Sequence, residues 1–334
     1  MTSEHQTMEA PNEAELCFPT INNSCRRSPR PELESTVIYI VLSAITAMTV
    51  VLNLLVIISI SHFRQLHTST NLLLLSLAVT DFLVGSIQMP FQIFYFGGCW
   101  LLGDLSCVVC FVSGYLVIGV SCGNMILLSA DRYIAVCDPL LYHSKVTIRR
   151  VQACVCICWI SVIVHVSWIM RDFVKQPGVF NTCVGECVFV LVHPEEGIAD
   201  IVISLVSPFT IITVLYLKVF TVAVSQARAL RSQITSLGLQ PSGAKKMELK
   251  AAKTLGVLLI VFIICCSPYY AFTLSAETPH LDPLSGVVEV WLICFNSCIN
   301  PIIYAFSYPW FRKSIKHIVT LQIFKPNSRN SRIL

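Results

Sequence analysis

The stretch that decides the fold is CVVCFVSGYLVIGVSCGNMILLSADRY, residues 107 to 133, which carries no charged side chain before Asp131 and Arg132. At a helical rise of about 1.5 Å per residue, the steps from Cys107 to Arg132 cover roughly 37 Å. That length exceeds the apolar core of a bilayer, which is about 30 Å thick. The stretch therefore predicts one helix that crosses a membrane, with a cysteine at one face and a charged triplet at the other.

The composition supports a membrane protein. Of the 334 residues, 55% are hydrophobic and only 13% are charged, which is too apolar for a soluble core to hide. Seven apolar segments have spanning length: residues 36–61, 71–95, 105–130, 152–170, 198–223, 254–275 and 286–307. We predict an all-α membrane protein, a seven-helix bundle surrounded by membrane lipids, and no nucleic-acid partner.

The connections between the spans predict orientation and domains. Lysines and arginines concentrate in alternate connections, so the positive-inside rule places the N-terminus outside. Residues 1–35 then form an extracellular tail, 36–307 the membrane domain, and 308–334 a short amphipathic eighth helix followed by a tail. The last residues, PNSRNSRIL, are expected to be disordered. Asn22 begins an Asn-Asn-Ser glycosylation acceptor, and no cleavable signal peptide is recognisable.

Most cysteines are expected to be packing residues. Ten of the sixteen cysteines lie in or beside apolar runs, where a thiol packs as a small hydrophobe. The outer loops are acidic, which favours a cationic ligand, although the positive-inside rule alone also leaves acids outside.

Polar residues within spans are costly and need a reason. Asp81 interrupts the second span, and neutral oxygen donors recur in the first, third and seventh. A carboxylate with such neighbours predicts a sodium site; the alternative is a hydrogen-bonded cluster that joins these helices. The expected ligands are Asp81, Ser121, Asn296, Ser297 and Asn300. No other cofactor is expected. Enzyme chemistry is not expected either, because no His or Cys cluster with metal-ligand spacing and no nucleophile with a base are visible.

The inner end of the third span carries Asp131, Arg132 and Tyr133, and Glu248 at the start of the sixth span could pair with Arg132. Rupture of such a pair between two helix ends would act as a two-state switch. Prolines in the fifth, sixth and seventh spans predict kinks, at Pro208, Pro268 and Pro301.

Taken in order, these residues resemble the rhodopsin-like (class A) G-protein-coupled receptors over essentially the whole chain. The matching positions are Asn53, Asp81, Trp100, Cys107, Asp131-Arg132-Tyr133, Trp159, Pro208 with Tyr216, Phe262 with Pro268, and Asn300-Pro301 with Tyr304. NSCINPIIYAFSYPWF, residues 296–311, resembles the seventh-helix signature of trace amine-associated receptors.

The resemblance implies a receptor for volatile or biogenic amines, often in the cilia of olfactory neurons, which raises cyclic AMP through a stimulatory G protein at the plasma membrane. It implies that the switch residues are Asp131, Arg132, Tyr133, Glu248, Tyr216, Asn300, Pro301 and Tyr304. It also implies a disulfide between Cys107 and Cys187, and a second from Cys183 to either Cys17 or Cys25.

One departure from the family pattern shapes the predicted ligand site. Amine receptors usually carry an aspartate 18 residues before the arginine of the triplet, but here that position is Gly114. Asp200 lies eight residues before Pro208. The resemblance implies that this is an alternative position for the anion, seen especially in fish receptors of this group. Ser204, four residues on, shares its face. The alternative is that Asp200 only marks the helix start at the headgroup level.

Aromatic residues complete the expected site. Tyr115, Tyr269 and Tyr270 could surround an ammonium, or could simply pack helices. Glu289, near the outer end of the seventh span, could take the second amino group of a diamine. The rival functions are a receptor for a non-amine ligand and a transporter, which should show paired repeats and broken helices.

Overall fold

The computed structural model describes the backbone of residues 15–27, 31–237, 243–274 and 283–333. It describes their side chains too, except at residues 230–237, 243–252, 270, 272–274 and 283–287. Glu248 and Tyr270 therefore belong to the predicted residues whose side chains lie outside the description. We call the face near residues 15–27 the outer face and the opposite face the inner face.

Helices dominate the described chain. They are α1 (Glu32–His62), α2 (Ser69–Phe96), α3 (Asp104–Cys137), α4 (Ile148–Ile169), α5 (194–237), α6 (Gly243–Leu274), α7 (Pro283–Ser307) and α8 (Pro309–Val319). Six described helices are long and apolar enough to span a bilayer, and α6 contributes the shorter apolar segment Lys253–Tyr269. The all-α seven-helix bundle with a short eighth helix is confirmed.

Several helices extend past the predicted spans. The third continues to Cys137 rather than 130, and the sixth begins at Gly243 rather than 254. Apolar patterning detects only the segment that lies in lipid, whereas backbone hydrogen bonding continues a helix into water. The inner ends of these helices therefore project beyond the apolar core.

The main hydrophobic core fills the inner half of the bundle. Leu77, Met125, Leu258 and Tyr304, from four different spanning helices, are at most 1% exposed. The α8 helix packs against the same core through Phe311, which is fully buried, and Trp310. The helix α3 packs against α2, α4, α5 and α6, and these contacts fix its position in the bundle.

Two π-helical turns interrupt α2 and α5, at Val84–Gln88 and Val202–Val206. Each ends two residues before a proline, Pro90 or Pro208. A proline has no N–H to give to the carbonyl four residues back, so the chain can widen by one residue at little further cost. A π turn thus precedes Pro208, one of the three predicted kink positions, and Pro268 and Pro301 lie inside α6 and α7.

The outer tail folds onto the second outer loop. Strands β1 (Glu15–Leu16) and β2 (Arg26–Arg27) pair with each other, and the Cys25 N–H donates to the Val184 carbonyl at 3.0 Å. Asn22 lies on an exposed turn, where a glycan would have room.

Three disulfides join these outer segments: Cys107–Cys187, Cys25–Cys183 and Cys17–Cys99. Of the two partners that were open for Cys183, the structure pairs Cys25. Cys17 instead bonds Cys99, a residue that the sequence analysis does not assign. The count of cysteines contains the signal for it, because six of the sixteen cysteines are not among the ten assigned to apolar packing. Without Cys99, an odd number would remain to form disulfides.

The expectation of a disordered end is wrong for residues 326–333. Ser328–Asn330 form a turn of 3₁₀ helix, and Ile333 is fully buried in the main core. The Ile333 N–H donates to Gln65 Oε1 at 3.1 Å, and His62 Nε2 contacts Ser328 Oγ at 3.0 Å. Two aliphatic residues at the end of a polar stretch, Ile333 and Leu334, give too weak a pattern to predict this docking.

The Cys17–Cys99 bridge yields a first prediction. It closes a separation of 82 residues, and loss of a native disulfide costs about 2–4 kcal/mol. Cys17→Ser should therefore lower the free energy of unfolding of the purified receptor by about that amount. Cys154→Ser is the control, because Cys154 is free and exposed. Equal stability of the two variants would contradict the assigned bridge.

Candidate functional site

Asp200 lies near the outer end of α5, six residues after Pro194. Its Oδ1 atom contacts His165 Nε2 at 2.9 Å and accepts a hydrogen bond from Ser204 Oγ at 2.8 Å. Among the described residues, its Oδ2 atom has no hydrogen-bond partner. The side chains of Asp200 and His165 are only 14% and 15% exposed. The carboxylate is thus held by one oxygen and offers the other.

A cavity of about 280 Å³ lies beside this carboxylate. Its outer end is formed by Tyr115, His165, Asp200 and Tyr269, and its inner end by apolar residues of α3, α4 and α5. Ligand pockets in proteins share this combination of a mostly apolar wall and few polar groups. The arrangement suits a small cation with an apolar body.

His165 is the member of this site that sequence reasoning missed. It lies on α4, and its Nε2 atom is 2.9 Å from Asp200 Oδ1 and 3.4 Å from Ser204 Oγ. The signal was available, because His165 is the one histidine inside the seven predicted spans. An ionisable side chain within a span is a functional candidate by default.

The remaining predicted ligand residues are not all together. Tyr115 and Tyr269 line the cavity with Asp200 and Ser204, whereas Gly114 and Glu289 do not. The Oε2 atom of Glu289 is buried in α7 and has no hydrogen-bond partner among the described residues. A second amino group at Glu289 would thus occupy a different space from the cavity beside Asp200.

Gln88 of α2 fills the space beside Gly114. A Cβ atom on Gly114 would lie 3.0 Å from Gln88 Nε2 and 3.3 Å from its Cδ. The Gln88 side chain is held in place by Ser113, whose Oγ donates to its Oε1 at 3.0 Å, and it is 6% exposed. The space beside Gly114, where the family pattern implies an aspartate, is therefore occupied by a neutral amide from another helix.

Asp81 forms a second polar centre, deep in the bundle and fully buried. Its oxygens accept hydrogen bonds from Ser297 Oγ at 2.7 Å and Asn300 Nδ2 at 2.8 Å. Asn53 Nδ2 donates to the Ser297 carbonyl at 3.0 Å. A void of about 20 Å³ lies next to this centre, lined in part by Ser121, Asn296 and Ser297.

Two amide oxygens of this centre, Asn296 Oδ1 and Asn300 Oδ1, are buried without a hydrogen-bond partner among the described residues. Buried oxygen acceptors normally find a donor, and such exceptions call for an explanation. Together with the Asp81 carboxylate, they form the donor set that a hard cation prefers. The void exceeds the 10–15 Å³ or so that one water molecule needs. The residues thus fit a small ion.

At the inner end of α3, Arg132 is paired with its neighbour Asp131 and donates to Thr70 Oγ1 at 2.6 Å. Tyr142, on the short inner helix Pro139–Lys145, donates to Asp131 Oδ1 at 2.8 Å. Burial raises the pKa of the Tyr142 phenol, and the Asp131 carboxylate raises it further, so the phenol remains a donor. The partners of Arg132 that the structure describes lie on α2 and α3.

The other predicted switch residues are spread along the inner half. Tyr216 faces Gly256 of α6, whose missing side chain leaves room for the phenol. Tyr304 of α7 is fully buried, and its hydroxyl has no partner among the described residues. Lys218 Nζ lies 5.8 Å from the centre of the Tyr133 ring. Pro301 follows Asn300 within α7.

The fold and these two polar centres define a class of membrane receptor. Residues 52–304 match the rhodopsin family of seven-transmembrane receptors. The chain belongs to this family. It is therefore a receptor, not a transporter or an enzyme.

Within that class, the chain belongs with the trace amine-associated receptors. It is 36% identical to mouse (Mus musculus) trace amine-associated receptor 4, over 96% of this chain and 95% of the relative. It is 36% identical to receptor 8a of Rattus norvegicus, and 32% identical to receptor 13c of Danio rerio, over 94% of this chain and 95% of each relative. The similarity thus covers the outer tail and loops as well as the spans.

The contact between Gly114 and Gln88 gives a second prediction. Gly114→Ala should lower the free energy of unfolding by about 1–3 kcal/mol, the usual cost of overpacking a filled site. In a Gln88→Ala background the same change should cost much less, since the added methyl group then has space. The two effects are measured by unfolding of the four receptors of a double-mutant cycle.

Gly197→Ala is the matched control, because its new Cβ would be 3.7 Å from Leu191 Cδ1, an ordinary contact distance. Additive costs for Gly114→Ala and Gln88→Ala would contradict the contact.

Proposed function

We propose that this receptor binds an amine through Asp200 and signals through a G protein. Its relatives are named trace amine-associated receptors. The observation that carries the proposal is the carboxylate of Asp200, which borders the cavity with one oxygen unpartnered among the described residues. A cation without a counter-ion is expensive to desolvate, so this oxygen is the favourable place for an ammonium.

The neighbours of Asp200 suit such a ligand. His165 and Ser204 both occupy Oδ1, which fixes the direction in which Oδ2 points. Tyr115 and Tyr269 present aromatic rings to the same cavity, where a ring face within about 6 Å attracts a cation. Tyr270 is proposed as a further aromatic contact from its sequence position alone, because its side chain lies outside the described residues. Gly114 contributes only by the absence of a competing charge.

The position of Glu289 bears on whether the ligand has one amino group or two. Because Glu289 does not line the cavity beside Asp200, a diamine would need to reach from one carboxylate to the other. We therefore propose a monoamine as the main ligand class, with diamines as weaker ligands.

The signalling half of the proposal rests on the inner face. Arg132 is held by Asp131 and Thr70, and Tyr142 bonds the same aspartate. Release of Arg132 from these partners would free a guanidinium at the face that a G protein meets, a switch of the two-state kind. Glu248 remains a proposed additional partner.

The family resemblance extends this to a stimulatory G protein and cyclic AMP. It also suggests residence in the plasma membrane and a role in olfactory cilia. The distribution of lysines and arginines and the Asn-Asn-Ser acceptor support an extracellular N-terminus with a glycan at Asn22.

We further propose that the centre around Asp81 holds a sodium ion. Asp81, Ser121, Asn296, Ser297 and Asn300 supply a carboxylate and neutral oxygens, two of which are otherwise unpartnered among the described residues. When bound, the ion would supply positive charge that offsets the buried carboxylate. The residues themselves tie α2 to α7.

The third prediction concerns the amine site. Asp200→Asn should raise the half-maximal concentration for amine-evoked cyclic AMP at least 30-fold, about 2 kcal/mol, because the ammonium loses its counter-ion. Asp172→Asn is the matched control, a partly exposed outer-loop aspartate that pairs with Arg171 and Lys175 and does not line the cavity. Surface expression of each variant is measured in parallel. An unchanged amine response of a well-expressed Asp200→Asn receptor would reject the site.

The fourth prediction concerns sodium. Sodium at ten times its dissociation constant should stabilise the purified receptor by about 1.4 kcal/mol relative to an organic cation at equal ionic strength. Asp81→Asn should abolish this difference, because the charged ligand is lost. Thermal unfolding in the two salts measures it. A sodium effect that persists in Asp81→Asn would place the ion elsewhere.

A further inference from the structure

The cavity beside Asp200 is elongated along the helices. Asp200 lies at its outer end and Pro208 at its inner end, eight residues later, which corresponds to roughly 12 Å along α5. The inner part is lined by apolar side chains that include Ile118 and Ile126 of α3. A ligand that fills it has a charged group at one end and an extended apolar chain at the other.

Two aromatic residues of the outer connection between α4 and α5, Phe173 and Phe189, lie near Tyr115 at the outer end of this cavity. Phe189 of the second outer loop lies 5.7 Å from Tyr115 and 5.2 Å from Phe173, between ring centroids. Tyr115 lines the cavity. The loop is fixed there because Cys187, two residues before Phe189, is bonded to Cys107 of α3. We call the rings of Phe173 and Phe189 the aromatic cover.

The side of the cavity between α4 and α5 is open. Three of its lining residues, Ser161 of α4 and Ile203 and Ser207 of α5, are exposed, and Ile203 is 48% exposed. In a bundle that spans a bilayer, an exposed face between two spanning helices faces lipid chains. The cavity therefore opens between α4 and α5 toward the bilayer interior.

The depth of Asp200 matches this opening. It lies six residues after the first residue of α5, roughly 9 Å from the helix end. An amphiphilic ammonium in the outer leaflet keeps its charge near the interface and its chain in the hydrocarbon, as long cationic side chains do. Such a molecule would present its charge near the level of Asp200 and its chain beside Ile203.

We infer that the ligand is a monoamine with an extended apolar chain, and that it reaches Asp200 laterally from the outer leaflet, between α4 and α5. This inference rests on the proposed amine function. Because each further methylene favours partition of the amine into the membrane, the bilayer concentrates longer amines next to the opening. Potency should rise with chain length until the cavity is filled.

The test narrows the opening with Ile203→Trp and compares n-butylamine with n-octylamine on cells that express the receptor. The expected result is that onset of the cyclic AMP response to n-octylamine slows at least fivefold and its half-maximal concentration rises. Val206→Trp is the matched control, because Val206 is 50% exposed on the same helix but does not line the cavity. It should leave both quantities within twofold of the wild-type receptor.

Phe189→Ala, which thins the aromatic cover, distinguishes the two routes. Lateral access predicts an unchanged onset in this variant, and access from the aqueous side predicts a faster one. A normal wild-type response together with an unaffected Ile203→Trp receptor would overturn lateral access alone. A wild-type receptor that responds to neither amine would overturn the amine function and this inference with it.

Discussion

A carboxylate within an apolar helix bundle is the constraint on which the site depends. Charge at that depth is costly unless it is hydrogen-bonded or neutralised. Only one oxygen of Asp200 is satisfied in this way: His165 and Ser204 both contact Oδ1, and Oδ2 has no partner among the described residues. The bond to His165 ties α5 to α4, and the remaining oxygen creates a demand for a cation. Stability of the bundle and affinity for a ligand thus arise from the same group.

The missing charge on α3 is the counterpart of this arrangement. Gln88 packs against Gly114, and the π turn before Pro90 ends at Gln88. In α5 a second π turn contains Ser204, which bonds Asp200. Each π turn ends two residues before a proline. The turn before Pro90 places the Gln88 amide beside Gly114, and the turn before Pro208 contains the serine that orients the Asp200 carboxylate.

Much of the fold was accessible from sequence because lipid imposes strong patterns. Spans, their order and the polar residues within them follow from hydropathy and from the cost of buried charge. The bond from Ser204 to Asp200 follows from their four-residue spacing. The contacts between α4 and α5, and between α2 and α3, could not be derived in this way. They depend on helix rotation and on π turns, which shift every later side chain by about 100° and leave no mark in the apolar pattern. Gln88 was missed for this reason. His165, a histidine within a predicted span, and Cys99, a cysteine outside the ten assigned to apolar packing, each carried a signal in the sequence. Their partners, Asp200 and Cys17, could be identified only from the structure.

The most direct measurement is an experimental structure of the receptor with n-octylamine bound in a lipid bilayer. The account predicts the amine nitrogen about 3 Å from Asp200 Oδ2, with the alkyl chain running inward between α3, α4 and α5. An amine nitrogen beside Gly114 or Glu289, with the cavity at Asp200 empty, would contradict it.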